Sequence, residues 1–308
     1  MMLPHQEISG VLNLDKSGGM TSRDVVDLVS RPLRKVKVGH AGTLDPLASG
    51  VLVVCVGQAT RLIEQVQRMP KAYRAVIRLG ATSDTLDADG RIEPNPYPDL
   101  KAPSETEVRA ALDSQVGVIQ QTPPQFSALK VAGRRAYDLA RLGESVPLLA
   151  RPVRVDRIEL VEYTWPRLEI NVDCGSGTYI RSIARDVGEA LGCGGLIEVL
   201  VRTRIGPFLL ADATNPVGQP IEAILAHLRP PVDALGDLPR LLLTPEQVGL
   251  ASGGKLLDPA RVAGASLLPP GEVGLLAPDG VLVAMAEILS SGAIQPRRVF
   301  AAAPPSSR

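Results

Sequence analysis

Two segments of the chain alternate between apolar and polar residues with the two-residue period of a half-buried β-strand. The positions that share one face are Tyr73, Ala75, Ile77 and Leu79 in the first segment, and Leu168, Ile170, Val172 and Cys174 in the second. A third segment, VLVVCV at 51–56, is apolar throughout, which is typical of a strand buried on both faces. The hydrophobic pattern therefore predicts strands in these three segments.

Three other segments repeat apolar residues every three or four positions, which is the period of an amphipathic helix. Their apolar stripes are Val25, Val26, Val29 and Leu33, then Leu62, Ile63, Val66 and Met69, then Ile180, Ile183, Ala184, Val187 and Leu191. Thr21 or Ser22 can cap the first helix, and Gly192 is suited to end the third. Because these helices and strands do not alternate regularly, the pattern favours an α+β fold over a doubly wound parallel sheet.

The last third of the chain has a different pattern. Proline and glycine become frequent from 207 to 245, which predicts a linker. Two strand-like runs follow at 273–277 and 281–286, and Pro278-Asp279-Gly280 between them is typical of a hairpin turn. We therefore expect a small second domain that is rich in β-structure.

Charge and composition indicate which kinds of nucleic-acid contact the chain could make. The formal net charge is zero, but residues 1–80 carry eleven Lys and Arg against six Asp and Glu (+5), whereas residues 81–120 carry three against eight (−5). A chain that is neutral in sum can thus present a basic face to a polyanion. Aromatic residues make up 3%, too few for a sheet that binds single strands by stacking.

Targeting and cysteine signals point to a reducing compartment. Cys55, Cys174 and Cys193 are odd in number and lack ligand spacing, so we expect buried thiols rather than disulfides or a zinc site. The N-terminus has no signal-peptide pattern, and no apolar run approaches the ~20 residues that span a membrane. A soluble cytoplasmic protein is the expectation.

The most informative segment is GHAGTLDPLASG at 39–50, which precedes the apolar run. It places one carboxylate, Asp45, in a loop with three glycines, and Pro46 biases Asp45 towards an extended backbone. A polar acid on such a loop, backed by a buried strand, suits a functional group on a rigid support. An Asp in this setting is also common as a plain turn residue.

Other chemical motifs fail on spacing. Asp84, Asp87 and Asp89-Gly90 resemble a calcium loop, but aligning Gly90 with its glycine places Thr85 and Pro96 at ligand positions. The chain has no GK[ST] string for a P-loop and no G-x-S-x-G string, and its three histidines lack metal spacing. We therefore expect neither a metal nor an organic cofactor.

Several separate strings closely resemble the TruB family of pseudouridine synthases, and they occur in the order of that family. They are GVLNLDK at 10–16, the loop at 39–50, KAY at 71–73, DTLDADG at 84–90, QTPP at 121–124, SALK at 127–130, GTYIR at 177–181 and LVRTR at 200–204. The family usually has Arg-Arg in the last string, where this chain has Val201-Arg202. The resemblance covers about residues 10–208 and implies a catalytic domain with a mixed, mainly antiparallel sheet flanked by helices.

The resemblance implies isomerisation of uridine-55 in the T-loop of tRNA, with the target base flipped out of the RNA. Asp45 matches the catalytic carboxylate, and three routes remain open: attack at the sugar C1′, attack at the base C6, and a glycal route. Tyr73 matches a tyrosine that stacks on the base and serves in proton transfer, and Arg181 matches an arginine expected to hold Asp45 in a bidentate pair. Tyr179 and Leu200 match residues that line the pocket.

The same resemblance implies how RNA is gripped. A basic insertion at about 121–152 corresponds to a clamp on the T-stem-loop. The residues expected to contact RNA are His40, Lys16, Lys130, Arg134, Arg135, Arg141 and Arg202, with His40 filling the space that the target nucleotide vacates. No protein partner is required, and a monomer is expected.

The expected domains are a catalytic domain at 1–236 and an RNA-binding domain similar to PUA at 237–308. Two alternatives remain at this point. One is a relative that depends on a guide RNA and shares the TLDP loop, although the insertion after Ser127 favours the stand-alone type. The other is an RNA chaperone that folds tRNA by binding it.

Overall fold

The computed structural model describes residues 8–94, 101–126, 130–131, 134–135 and 147–300, with the backbone alone at 94, 130–131 and 134–135. The helices are α1 Ser22–Ser30, α2 Ile63–Arg68, α3 Glu105–Asp113, α4 Ile180–Ala190, α5 Ile221–Leu225 and α6 Pro245–Ser252. The strands are β1 Gly10–Lys16, β2 Val38–His40, β3 Ser49–Val56, β4 Lys71–Leu79, β5 Ala81–Ser83, β6 Ile92–Pro94, β7 Gly117–Gln121, β8 Lys130–Val131, β9 Arg134–Arg135, β10 Arg151–Thr164, β11 Arg167–Cys174, β12 Gly195–Ile205, β13 Phe208–Leu209, β14 Arg240–Leu242, β15 Gly271–Leu276, β16 Leu282–Ile288 and β17 Ile294–Val299.

The main sheet has the order β1-β3-β12-β4-β11-β10-β7, with β13 paired to β12 and β2 paired to β3. Its strand pairs are antiparallel except for β12 with β3, where Arg202 lies opposite Gly50. On the other side of β12, Arg202 lies opposite Tyr73 of β4. Three segments that are distant in sequence therefore meet at one point of the sheet.

Helices flank this sheet because the strands in its middle are buried on both faces. The face of β4 that carries Tyr73, Ala75 and Ile77 packs, together with β11, against α3 and α4. Val25 and Val29 of α1 pack against β1 and β3 in a second cluster. The α+β expectation, with a mixed and mainly antiparallel sheet, is confirmed.

The predicted helices are present, with one change at the second. Its stripe falls partly on a 3-10 helix, Gly57–Leu62, before α2 begins at Ile63. α1 has a capping box in which the Thr21 side chain accepts a hydrogen bond from Asp24 N. Gly192, at φ 67°, follows the end of α4 as predicted.

The prediction that residues 207–245 form a linker is wrong. This segment contains β13, α5, a 3-10 helix at Pro231–Leu235 and β14. Three of its residues, Phe208, Ile224 and Leu235, are almost fully buried. Apolar side chains spaced between the prolines supply enough packing to order a segment whose composition resembles a loop.

The C-terminal sheet has the order β14-β15-β16-β17. β15 and β16 form the predicted hairpin, and Gly280 in its turn has φ 84°, a conformation that favours glycine. Leu276, Met285 and other apolar residues of this sheet pack in one cluster with Val51 and Val53 of β3. The small β-rich unit thus shares a hydrophobic core with the main sheet.

Half of the insertion predicted at 121–152 lies outside the described residues. Within it, β8 and β9 form a two-stranded antiparallel pair in which Lys130 lies opposite Arg135.

All three cysteines are buried as free thiols, and burial raises the pKa of Cys55 to about 12. Among the described helices, none has the length and apolarity needed to cross a membrane.

Candidate active site

The loop that carries Asp45 runs from the end of β2 to the start of β3 and is fixed by hydrogen bonds on both sides. Ser22, at the start of α1, accepts from Leu44 N at 2.8 Å and donates to Leu44 O at 3.1 Å. Gly19 N donates to Pro46 O at 2.8 Å, and Ala48 N closes a turn on Asp45 O. Both neighbours of Asp45 are thereby anchored, which holds the carboxylate on a rigid support.

Asp45 forms an ion pair with Arg181, the second residue of α4. Arg181 Nε lies 2.9 Å from Asp45 Oδ2, while the Arg181 side chain is 5% exposed and that of Asp45 is 34% exposed. The Nε–H direction does not align with a hydrogen bond to this oxygen, so the contact is mainly electrostatic. An acid that is partly open to solvent is therefore held against a buried cation.

The remaining nitrogens of Arg181 bind elsewhere, so the expected bidentate pair with Asp45 is wrong. Nη1 donates to Thr85 O at 2.8 Å and lies 3.3 Å from Asp87 Oδ2. Nη2 donates to Phe126 O at 2.8 Å. Since four groups share the guanidinium, only its Nε atom is directed to Asp45.

Asp87 is a member of the site that sequence reasoning did not assign. It is 4% exposed, and burial raises its pKa, although the hydroxyl of Thr85 and the charge of Arg181 oppose that shift. The Thr85 hydroxyl donates to Asp87 Oδ1 at 2.5 Å. The string DTLDADG, which matches the TruB family, contained this residue, but no role at the site was assigned to it.

A cavity of about 250 Å³ opens beside Asp45. Tyr73 and Leu200, on the adjacent strands β4 and β12, line it together with Tyr179, which precedes α4. Tyr73 is 8% exposed, and burial raises the pKa of its phenol, opposed by the nearby Arg202. The structure thus brings an acid, a neutral phenol, a second tyrosine and a leucine together around one cavity.

Comparisons with known proteins agree with this geometry. The sequence model described as TruB family pseudouridylate synthase (N terminal domain) matches residues 30–180. A protein of Cereibacter sphaeroides named tRNA pseudouridine synthase B is 44% identical over 298 residues, which cover 95% of this chain and 96% of that protein. A protein of the same name from Xanthomonas axonopodis pv. citri is 40% identical over 306 residues, covering 96% and 95%.

This chain belongs to the TruB family.

Solved structures agree on the fold. A Cbf5-Nop10-Gar1 complex contains a chain with a TM-score of 0.73 and 26% identity, matched over 95% of this chain and 85% of that one. An H/ACA RNP bound to a substrate RNA containing 2'-deoxyuridine gives a TM-score of 0.72 at 25% identity, with the same coverage of both chains. The pseudouridine synthase fold therefore extends beyond the part matched by the family model.

The structure of this TruB family member corrects the RNA-binding prediction for Arg202. Arg202 is 1% exposed, and its guanidinium donates to Val51 O at 2.8 Å, to Gly42 O at 3.0 Å and to Thr43 O at 3.4 Å. These carbonyls belong to the two ends of the Asp45 loop. A buried cation whose donors are directed to backbone carbonyls supports the loop and does not present its charge to a phosphate.

Lys16 requires the same correction. Its side chain is fully buried, and Nζ donates to Met20 O at 2.6 Å, to Ser17 O at 3.0 Å and to Pro46 O at 3.3 Å. Burial lowers its pKa to about 8, opposed first by the charge of Asp45. Lys16 therefore ties β1 and the following turn to the residue directly after Asp45.

The other predicted RNA contacts are spread over the chain. His40 is half-buried at the end of β2 and is not among the residues that line the cavity. The backbone of Lys130 lies in β8 and that of Arg134 and Arg135 in β9, whereas Arg141 falls outside the described residues. Contact of His40 and of these four basic residues with RNA stays a prediction.

Gln121 is a second residue that sequence reasoning did not assign to the site. It is buried at the end of β7, where its Nε2 donates to Tyr179 O at 3.1 Å and its Oε1 accepts from Tyr179 N at 2.8 Å. These two bonds hold Tyr179 as a strand neighbour would. The signal available in the sequence was a glutamine directly before Thr122-Pro123-Pro124, where the strand has to end.

Proposed function

We propose that this protein converts uridine-55 in the T-loop of tRNA to pseudouridine. The observation that carries the proposal is the Asp45 carboxylate, which borders a cavity, lies 2.9 Å from a buried guanidinium and faces a cavity wall formed by Tyr73. The name tRNA pseudouridine synthase B, borne by relatives at 40–44% identity over most of the chain, supports tRNA as the substrate.

The reaction breaks the bond between N1 of uracil and the sugar, turns the base, and joins C5 to the same sugar carbon. A single carboxylate can act as the nucleophile or can stabilise positive charge that develops at the sugar. Arg181 orients this carboxylate from one side, and the target base must be flipped out of the RNA to reach it, at a cost of a few kcal/mol. Asp45 is the group that we assign to catalysis.

Tyr73 has the properties of a stacking platform that stays uncharged. Burial raises the pKa of its phenol, so the ring is uncharged at neutral pH and suits stacking against a base. Leu200 on the adjacent strand supplies an apolar contact, and Tyr179 closes the cavity from the start of α4. We assign these three residues to the pocket that receives the flipped base.

The proposal includes the expected organisation of the chain. The catalytic domain spans 1–236 and the PUA-like RNA-binding domain spans 237–308, with His40 and the basic residues 130, 134, 135 and 141 in contact with the T-stem-loop. The protein acts as a monomer in the cytoplasm without a protein partner. The chain is 40–44% identical to relatives named tRNA pseudouridine synthase B and 25–26% identical to chains from H/ACA complexes. This difference supports the stand-alone enzyme over a relative that depends on a guide RNA.

The test is incubation with an unmodified T-arm hairpin, followed by a pseudouridine-specific chemical label and mass spectrometry. The wild-type protein should label one position, and a hairpin with cytidine in place of the target uridine should stay unlabelled. D45N should lose conversion while it binds the hairpin with unchanged affinity. D27N is the matched control, since Asp27 is a carboxylate of α1 that is paired with Arg23 and Arg31 and does not line the cavity.

Two results would contradict the proposal. Conversion by D45N would remove Asp45 from catalysis. A wild-type protein that binds and refolds the hairpin without labelling it would instead identify an RNA chaperone.

A further inference from the structure

Three cations that line the cavity are buried and direct N–H groups to oxygens of the protein. Arg181 is held by Asp45, Asp87 and two carbonyls, and Arg202 by three carbonyls. Lys71 is 7% exposed, and its Nζ donates to Gln67 O at 2.8 Å and to Met69 O at 2.7 Å. Contacts to phosphates position a protein on RNA, and a cation with fewer bonds to the protein suits such a contact better than these three.

Arg151, the first residue of β10, differs from them. It is half-buried, and its guanidinium carbon lies 5.4 Å from the ring centroid of Tyr179. Its Nη2 donates to Gly177 O at 2.9 Å. Tyr179 and Gly177 both line the cavity, so the guanidinium lies at its edge. Among the residues that the structure describes, none forms an ion pair with Arg151.

Neighbouring arginines on the same strand are neutralised. Arg154 Nε lies 2.9 Å from Asp156 Oδ1, and Arg157 Nη2 lies 3.2 Å from Glu159 Oε1. These two arginines thus have a carboxylate beside them, whereas the contacts of Arg151 with described residues are a ring and a carbonyl. Those two contacts fix the plane of the guanidinium without cancelling its charge.

The backbone around Arg151 fits this arrangement. Gly177 has φ 83°, and a Cβ built on it would lie 3.3 Å from Arg151 Nη2, so a side chain there would crowd the guanidinium. Arg151 lies opposite Gln121 in the pairing of β10 with β7. Gln121 holds the backbone of Tyr179, and Arg151 covers its ring. One cross-strand pair therefore sets both the position of Tyr179 and the charge above it.

We propose that Arg151 is a phosphate-binding residue at the mouth of the active site, and that its ligand is an RNA backbone phosphodiester next to the flipped uridine. The planar guanidinium has N–H donors beyond the one used on Gly177, and it is pre-organised by the ring beneath it. Binding the phosphate there places the nucleotide over Asp45 and Tyr73. This assignment rests on the proposed function for the identity of the RNA.

The experiment compares R151Q with R157Q on the T-arm hairpin. R157Q is the matched control because it removes the same charge from the same strand at a position paired with Glu159. R151Q should weaken RNA binding about tenfold and lower the slope of log affinity against log salt by about 0.7–0.9, the contribution of one phosphate contact. R157Q should leave both quantities unchanged, and thermal unfolding of each variant reports whether it is folded.

Hairpins that carry a single neutral methylphosphonate, placed in turn at each linkage within two nucleotides of the target uridine, locate the contact. On one of these RNAs the wild-type protein should lose about tenfold in affinity, and R151Q should lose no more, because the two changes remove the same interaction. A loss from R151Q that is equal on every hairpin, with an unchanged salt slope, would mean that Arg151 only supports Tyr179 and would overturn the proposal.

Binding and conversion are measured separately, so the two proposals fail separately. If the wild-type protein binds the hairpin with the expected dependence on Arg151 but forms no pseudouridine, the proposed function fails and the phosphate site stands. If conversion proceeds and R151Q behaves like R157Q, the phosphate site fails and the proposed function stands.

Discussion

Arg181 lies between two carboxylates and reaches them with different nitrogens: Nε is 2.9 Å from Asp45 and Nη1 is 3.3 Å from Asp87. Asp45 borders the cavity, whereas Asp87 is buried behind it. The guanidinium is thus fixed from the interior by one acid and turned towards the other. This relationship makes the shape of the arginine, and not its charge alone, important for the site.

R181K should therefore be a poor replacement. An ammonium keeps the charge but cannot reach Asp45, Asp87 and two carbonyls at once, so we expect kcat to fall by about 100-fold with little change in RNA affinity. Single-turnover conversion and filter binding measure the two quantities. R185K, one turn further along α4, is the control because Arg185 contacts Asp186 and Thr122 O outside the cavity. Equal kcat for the two variants would contradict this view of Arg181.

D87N tests the inner half of the same network. Asn keeps the shape of the side chain and removes the charge that holds Arg181 Nη1, so the guanidinium loses its anchor. We expect about a tenfold lower kcat and unchanged RNA affinity. D84N, in the same loop, is the comparison, since Asp84 is exposed and accepts a hydrogen bond from Arg91 N at 2.8 Å. If D87N keeps the turnover of D84N, the buried acid has no part in orienting Arg181.

The approach of β3 to β12 predicts an asymmetry between two glycines. Gly50 has φ 100°, and a Cβ there would lie 2.3 Å from the carbonyl oxygen of Arg202, whereas Gly19 has φ 80° and open space around it. G19A should cost about 1 kcal/mol of unfolding free energy, from backbone strain alone. G50A should cost about 3 kcal/mol or more, because two strands have to separate. Chemical denaturation measures both, and similar losses would show that the close contact relaxes freely.

Lys16 predicts a dependence of stability on pH. Burial lowers its pKa in the folded protein from 10.5 to about 8, so between these values the unfolded chain binds the proton that the folded chain has lost. The unfolding free energy of the wild-type protein should therefore rise with pH across this window relative to that of K16M. Below pH 8 the difference between the two free energies should stay constant. Denaturation curves of both proteins from pH 7 to pH 10 measure this difference. A constant difference would mean that Lys16 keeps its proton throughout.

The strands show what the hydrophobic pattern of the sequence can predict by itself. The alternation at 71–79 and 168–174 predicted β4 and β11 almost residue by residue, because a strand with one face against helices must place apolar side chains at every second position. The Pro-rich segment at 207–245 misled the same reasoning. Its order comes from packing against residues far away in the chain, which local composition does not encode.

Among the site residues, the sequence by itself determined the loop, its acid and the aromatic and basic residues that accompany it, because their types and spacing are written in short strings. Only the tertiary structure decided what the cations do. Arg202 and Lys16 are surrounded by backbone carbonyls from several segments, and Arg181 is shared between two acids, whereas Arg151 keeps its charge at the cavity edge. The physical reason is that a cation's role depends on which oxygens surround it, and the fold brings those oxygens from strands and turns that are distant in sequence.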